Sequence, residues 1–527
     1  MDQFCYIRQS SFAFAPFIWP PGGAYPALKS NEIPDSLMLP YQTLITLERS
    51  APASLTQQLT AAFIGFILQG LLPAKTKLPG TRTLATLLAV NRQTVVVAFN
   101  ELEGQGWIVQ VPAKGAFVSP HLPEMQAQPL LPRARGQAAA TAGFAYPRLP
   151  AVGPPRPLAP LILDSGTPDP RLAPLTALAR KYRTVFRRAS NRHLFGYTAP
   201  NGNPALRQQL ARYLHDTRGI AAQPENIFIA RGSVMAIYLV AQLLLQPGDA
   251  VVVGHRSYPE GDRLFAHRGA QLHQVRVDEQ GLCVDEIAAL CLRQAVRLVY
   301  LTPHHHYPTT VTLTAERRVR LLQLAERHDF VILEDDYDFD FHYANSPILP
   351  LASADRTGRV LYVGSLSKVL APSIRVGYLV GPTDLVAEIG NLRYLIDHQG
   401  DNLLEQCLAE LFAEGDMGSH LKRARTNYQQ RRDVFCHQLR TQVSEWFSFQ
   451  EPAGGLAVWG QFSEAVDVPR LSAECHQAGL GIGDGARYQL VTEPRAAHLR
   501  LGFAGLTPDE LVQSVSILTK ALQAISR

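Results

Sequence analysis

The sequence predicts a multidomain chain: a small winged helix-turn-helix domain, α+β in class, and beyond it a large α/β domain with a smaller α+β lobe. Three observations predict this. Residues 41–120 run through three helix-like periods into two short apolar runs around a turn. From 161 onward, short Val/Ile/Leu runs alternate with helical segments, the pattern of buried strands joined by crossovers. Between the two, residues 121–160 keep no hydrophobic period at all, and 527 residues are too many for one core.

Composition narrows the class. An apolar fraction of 46% with 18% charged residues describes a globular chain, neither disordered nor fibrous. No apolar run reaches the roughly 18 residues of a membrane span. The early "SFAFAPFIWPPGGAYP" is broken by prolines and lacks a small-residue cleavage site, so it predicts no secretory signal. Cys5, Cys283, Cys291, Cys407, Cys436 and Cys475 are scattered, without a CxxC pair; this suits a reducing cytoplasm and predicts no zinc site. The net charge of +5 permits a nucleic-acid partner without demanding one.

Residues 1–40 carry no clean period and read as a disordered extension or a misplaced initiation site, since "MLPYQTLITLERS" from Met38 looks more like a protein start. In 41–120, Leu55, Leu59, Ala62, Phe63, Phe66 and Ile67 mark one amphipathic helix. "TRTLATLLAV" is a second, short helix. "NRQTVVVAFNELEGQGW" is a third, with Asn91 as N-cap and Gly104 as its stop. "GWIVQVPAKGAFV" then reads as a two-stranded wing. The stretch 121–160, rich in Pro and Ala, is a linker whose reach is about 35 Å as coil and about 120 Å as polyproline chain.

A short helix, a tight turn and a second helix opening "NRQT" set that second helix into a major groove, where its first residues meet base edges. Arg92 suits guanine in bidentate fashion and Gln93 suits adenine, while Thr94 contacts phosphate or a thymine methyl. Arg82 and Lys114 neutralise phosphate, positioning the domain without specifying sequence. Trp107 and Phe117 belong to the small core. The ordered segment "LPGTRTLATLLAVNRQTVVVAFNELEGQGWIVQVPAKGAFV" resembles the winged helix of the GntR family. That resemblance implies DNA contacts at Arg82, Arg92, Thr94, Lys114 and Gly115, with double-stranded DNA as the partner. Val97 departs from it, standing where relatives often carry a further Arg; affinity then leans on a dimer.

In the large domain, Lys368 sits among small hydroxyls in "YVGSLSKVLAPSIRVGYLV". Alone it reads as a surface lysine. Upstream, "VILEDDYDFDF" delivers acids at the end of an apolar strand, where open α/β sheets bind ligands. A carboxylate there holds a pyridine nitrogen protonated, and Tyr337 stands two residues beyond Asp335. "EDDYD" by itself is also compatible with an exposed acidic turn or a metal site, but it lacks ligand-spaced His or Cys, and no metal is predicted. "ARGSVMAIYL" follows the strand "NIFIA" and opens a helix, so Gly232 and Ser233 present N–H groups to an anion. Ser365 and Arg375 add a hydroxyl and a guanidinium. Tyr258, in "GHRSYPEG", is placed to stack on an aromatic ring.

These segments in this order, with "FGYTAPNGNPALRQQLARYL" and "LTPHHHYPTTVTL", resemble the fold-type I aminotransferases and, more closely, the MocR subgroup of GntR regulators, from about residue 41 to the C-terminus apart from the linker. The resemblance implies a fold-type I aminotransferase-like domain over 161–527 that binds pyridoxal 5'-phosphate (PLP). Lys368 is then the internal-aldimine lysine, Asp335 pairs with the pyridine nitrogen, and Tyr337 and His305 bracket the ring oxygen. Tyr258 stacks, Gly232, Ser233, Ser365 and Arg375 hold phosphate, and Arg500 clamps a ligand carboxylate. It also implies a homodimer reading a repeated or palindromic operator. The departures are Val234 and Met235 after the phosphate turn, "PTT" at 308–310, the run of three histidines at 304–306, and Glu260, which would repel a carboxylate and welcome an amine. The expected function is a cytoplasmic transcriptional regulator sensing PLP or an amino compound. The alternative is a working aminotransferase joined to a DNA reader.

Overall fold

The computed structural model describes residues 39–122, 141–147, 159–344, 347–490 and 497–526. Nearly all of the expected extension 1–40 and most of the expected linker 121–160 lie outside the described residues. The chain divides into two compact units, 1–152 and 153–527.

The first unit is built on helix α1 (Leu55–Leu68), whose Ser54 accepts from the Gln57 N–H in a capping box. Leu59 and Phe63 of α1 are fully buried, and Phe63 meets Phe99 edge-on with centroids 5.7 Å apart. Each such side chain contributes about 1.5–3 kcal/mol by leaving water. Helix α2 (Thr81–Leu87) buries Leu84 and Ala85. Helix α3 (Arg92–Gly104) is capped by Asn91, whose side chain accepts from the Gln93 N–H at 2.8 Å. The turn between α2 and α3 places Ala89 in the left-handed region, φ 52°. α3 ends at Gly104 as expected, and Gly106, in the left-handed region at φ 79°, redirects the chain. Strands β1 (Ile108–Val111) and β2 (Gly115–Val118) pair antiparallel, Val111 opposite Gly115. Trp107 is buried against this core and Phe117 half-buried.

The second unit carries a seven-stranded sheet. Its strands are β3 (Ile227–Ala230), β4 (Ala250–Gly254), β5 (Gln271–Val275), β6 (Leu298–Leu301), β7 (Val331–Asp336), β8 (Val360–Ser365) and β9 (Gly377–Val380), in the order β3-β9-β8-β7-β6-β4-β5. Strands β3, β4, β6, β7, β8 and β9 are the short apolar runs of the sequence; edge strand β5 carries only one buried residue, so it has no such run to read. The expectation of crossovers throughout fails at β9, which is antiparallel to both neighbours. Only residues 366–376 separate it from β8, too few for the dozen-residue crossover that a parallel neighbour needs.

Helices α4 (Ser233–Leu244), α5 (Pro259–His267) and α6 (Leu366–Val369) start near one end of this sheet. The smaller lobe packs α7 (Asp416–Gln442) and α8 (Pro508–Ile525) on a three-stranded antiparallel sheet of β10 (Phe447–Phe449), β11 (Ala457–Phe462) and β12 (His498–Gly502). It also takes in the start of the second unit. Leu161–Ile162 pairs with Leu480–Gly481, and Leu161 and Leu163 join its core.

Candidate functional site

The carboxyl ends of β3, β6, β7 and β8 and the amino end of antiparallel β9 meet at one edge of the sheet. A cavity of about 280 Å³ opens there, and Ser233, Tyr258, Asp335, Tyr337, Ser365, Lys368 and Arg375 all line it. Residues far apart in sequence thus face one space, because each stands where a strand ends and the chain turns.

Lys368 lies in the last turn of α6 and donates from Nζ to the Gly166 carbonyl at 2.8 Å. Burial lowers its pKa, against the opposing pull of the Asp164 charge, which favours the neutral, nucleophilic amine. Asp335, only 3% exposed, accepts from the Tyr300 hydroxyl at 2.9 Å through Oδ2. Its Oδ1 has no hydrogen-bond partner. A buried carboxylate oxygen left unpaired costs free energy, and a protonated pyridine nitrogen would supply the missing donor.

The anion side is equally formed. Gly232 caps α4 at φ 84°, and a Cβ there would stand 2.5 Å from Arg375 Nη2, so only glycine lets the guanidinium close on the helix N-terminus. Arg375 also donates to the Arg231 carbonyl at 3.1 Å. Ser365 caps α6 by accepting from the Ser367 N–H, and the buried Ser367 hydroxyl has no partner. Hydroxyls, N–H groups and a guanidinium converge as a dianion requires. These residues fit a pyridoxal phosphate on both its ring and phosphate sides.

Two expected residues, His305 and Arg500, stand outside the lining. His305 does not line the cavity: its Nδ1 meets Asp338 Oδ1 at 2.8 Å, because the buried Asp338 carboxylate offers the ring a stronger partner. The Tyr337 hydroxyl donates instead to the His305 backbone carbonyl at 3.0 Å. Arg500, on β12, is buried behind the wall. It donates to the Ser165 carbonyl (3.0 Å), the Pro308 carbonyl (2.8 Å) and the Tyr337 hydroxyl (3.2 Å). Arg487 lines the cavity, beside Lys368 and Arg375, and its Nη2 lies 3.5 Å from Glu260 Oε1. Glu260 is therefore partly neutralised and does not confront a ligand alone. Gly232 serves through its backbone.

Sequence reasoning missed Ser367, Thr302, Tyr307 and Arg487 as lining residues. Ser367 had a signal in its place beside Lys368; the others come from loops whose ends only the fold brings together. Spacing along the chain predicts no metal site, yet His304, His305 and His342 put ligand nitrogens within 4.8 Å of one another. The turn after β7 returns His342 to the two histidines after β6.

Burial pushes the Asp335 carboxyl up to about 7, opposed by the Tyr300 hydroxyl and reinforced by Asp336 and Asp338. An acid with a raised folded value contributes stability that is complete below its unfolded value, near 4, and is lost as pH rises through about 7. Cofactor-free Asp335→Asn should therefore match wild type at about pH 4 and exceed it by a few kcal/mol at about pH 8. Glu334 and Asp336 shift the same way but remain in both proteins. Denaturant unfolding at the two pH values checks this; a difference independent of pH contradicts it.

The DNA-reading candidates lie in the first unit. Arg92 and Gln93 are exposed at the start of α3, and Thr94 is half-buried one residue on. Lys114 and Gly115 form the exposed wing tip and Arg82 the exposed start of α2. Lys77, which sequence reasoning passed over, lies beside the tip: its Cε is 3.6 Å from where a Gly115 Cβ would be. Val97 is 41% exposed on the same helix.

The family described as "Aminotransferase class I and II" matches residues 161–518, and "Bacterial regulatory proteins, gntR family" matches residues 55–118. The HTH-type transcriptional regulator TauR of Rhodobacter capsulatus is 31% identical over 466 residues, covering 87% of this chain and 94% of that protein. The probable rhizopine catabolism regulatory protein MocR of Rhizobium meliloti is 28% identical over 486 residues, covering 92% and 96%. An archaeal alanine:glyoxylate aminotransferase superposes with a TM-score of 0.65 at 28% identity, covering 69% of this chain and 91% of that one. LysN, an alpha-aminoadipate aminotransferase from Thermus thermophilus complexed with N-(5'-phosphopyridoxyl)-L-leucine, does so at 0.64 and 25%, covering 69% and 92%. The chain belongs to the MocR subgroup of the GntR family, transcriptional regulators in which a winged-helix DNA reader is fused to an aminotransferase-like domain that takes pyridoxal phosphate.

Proposed function

We propose that the aminotransferase-like domain senses PLP, or an amino compound condensed with it, and alters DNA binding in response. The observation that carries this reading is the retention of Lys368 beside the unpaired Asp335 Oδ1, on a chain that also exposes Arg92 and Gln93 at the start of a capped helix. When bound, the cofactor supplies an electrophilic carbon at which one amine replaces another. Lys368 is the resident amine and Asp335 the acceptor for the ring proton. Ser233, Ser365, Ser367 and Arg375 hold the phosphate. Arg487 and Glu260 present both charges to whatever amine arrives, which suits an amino acid or related amino compound.

The protein acts as a homodimer in the cytoplasm, where its DNA is. Support for a dimer comes from apolar side chains left uncovered on the second unit, Tyr197 at 90% and Leu395 at 81% exposed, with Phe186 and Phe195 exposed and edge-on at 5.3 Å. Surfaces of this kind mark interfaces. No helix among the described residues is long and apolar enough to cross a membrane.

The test is affinity for the DNA upstream of the protein's own gene, compared between cofactor-free and PLP-loaded protein at fixed salt, with oligomeric state read by sedimentation of the same samples. A tenfold or greater change, about 1.4 kcal/mol of coupling, is expected. Equal affinities would remove PLP as the signal, and a monomer would remove the two-headed reader. Sustained turnover of an amino donor with a keto acid would favour the working aminotransferase instead.

A further inference from the structure

Three imidazoles that take no part in the cofactor cavity meet beside it. His304 is 2% exposed and neither of its ring nitrogens has a hydrogen-bond partner. His305 is 1% exposed; Asp338 engages its Nδ1 at 2.8 Å, and its Nε2 has no partner. The His342 ring stacks on His305 with centroids 5.8 Å apart, and lies 5.3 Å from that of His304. Packing accounts for part of this, since His304 also rests on Phe339 at 4.6 Å. Packing leaves both nitrogens of His304 and Nε2 of His305 unexplained. A phenyl or aliphatic side chain would fill the same space without burying unpaired polar atoms, which is costly.

We propose that His304, His305 and His342 form a site for a divalent transition-metal ion of the zinc class. Their ligand nitrogens lie within 4.8 Å of one another, and an ion about 2.0–2.1 Å from each nitrogen draws them closer by small rotations of the rings. The Asp338 carboxylate accepts from His305 Nδ1–H, so the lone pair is presented at Nε2, the arrangement in which a carboxylate orients a metal-binding imidazole. Gly454 lets its backbone approach the ring closely, since a side chain there would collide with His305 Nε2. His342, the member of the set that is not fully buried, provides the way in, and water completes the four-coordinate shell. Three neutral nitrogen donors select zinc, cobalt, nickel or copper over magnesium or calcium.

The ion would tie the segment after β6 to the turn after β7. The first of these carries Thr302 and Tyr307 of the cavity wall and the second follows Asp335 and Tyr337, so metal occupancy would stiffen the two walls together.

The experiment titrates full-length, PLP-loaded protein with Co²⁺ alone, followed by visible d–d absorption, and then displaces it with Zn²⁺. Wild type is expected to bind one equivalent per chain with intense tetrahedral bands that Zn²⁺ removes. His342→Ala and His304→Ala are each expected to weaken that binding at least tenfold, with circular dichroism reporting an intact fold. His342 is partly exposed, so its variant decides the matter if His304→Ala does not fold. Absence of the bands in wild type, or their persistence in either folded variant, overturns the three-histidine site.

Discussion

Lys368→Ala is expected to abolish covalent attachment of the cofactor and to weaken its binding at least a hundredfold, about 2.8 kcal/mol. Wild type reduced with borohydride should gain the mass of one reduced cofactor per chain; the variant should gain none. Attachment requires a neutral amine at the right place. Lys368 is half-buried, its pKa is lowered by desolvation, and Nζ is held by the Gly166 carbonyl instead of by a carboxylate. Lys181, which is also buried, is ion-paired with Glu414 and is not among the residues lining the cavity. Because Ser233, Ser365, Ser367, Arg375 and Asp335 remain in the variant, loose non-covalent binding should persist. A trapped adduct of full stoichiometry in Lys368→Ala would remove this lysine from its role.

Arg92→Ala should lower discrimination between operator and random DNA by about 10- to 100-fold, since a bidentate base contact is worth about 1–3 kcal/mol. Arg92 is exposed in the first turn of α3, whose cap is supplied by Asn91 and therefore survives the substitution. Arg82→Ala and Lys114→Ala remove phosphate contacts and should weaken operator and random DNA alike. Val97, apolar and 41% exposed, takes no such part. With about six phosphates neutralised by a dimer, log K should fall against log [salt] with a slope near −5, and each phosphate variant should make it shallower. Filter binding or fluorescence anisotropy over a salt series measures all of this. An unchanged operator-to-random ratio in Arg92→Ala would displace α3 from the groove.

Much of the second unit was legible because its buried strands carry continuous apolar runs, and a run such as "VILEDDY" announces both a strand and the acids at its end. The helix-turn-helix was legible because capping and periodicity are local: Asn91 and the Leu59, Phe63, Phe66 stripe act within a few residues of themselves. Strand β5 escaped because an edge strand need not be apolar on both faces. The reversal at β9 lay in the length of a connection, not in residue type. For His305 and Arg500 the family resemblance suggested roles, and neither lines the cavity: Asp338 holds the imidazole, and two backbone carbonyls with the Tyr337 hydroxyl hold the guanidinium.

By itself the sequence determined the two fold classes and the cap and face of the third helix of the first unit, because these depend on local pattern, and it put Lys368, Asp335, Tyr337, Ser365 and Arg375 near the ends of apolar strands, where the cavity they line then opens. Only the tertiary structure decided which oxygen of Asp335 lacks a donor, that Ser367, Thr302, Tyr307 and Arg487 wall the cavity, and that three histidines from two strand ends share one space. Those facts depend on which groups burial removes from water and which partners then remain within reach, and contacts between residues far apart in the chain leave no periodic trace along it.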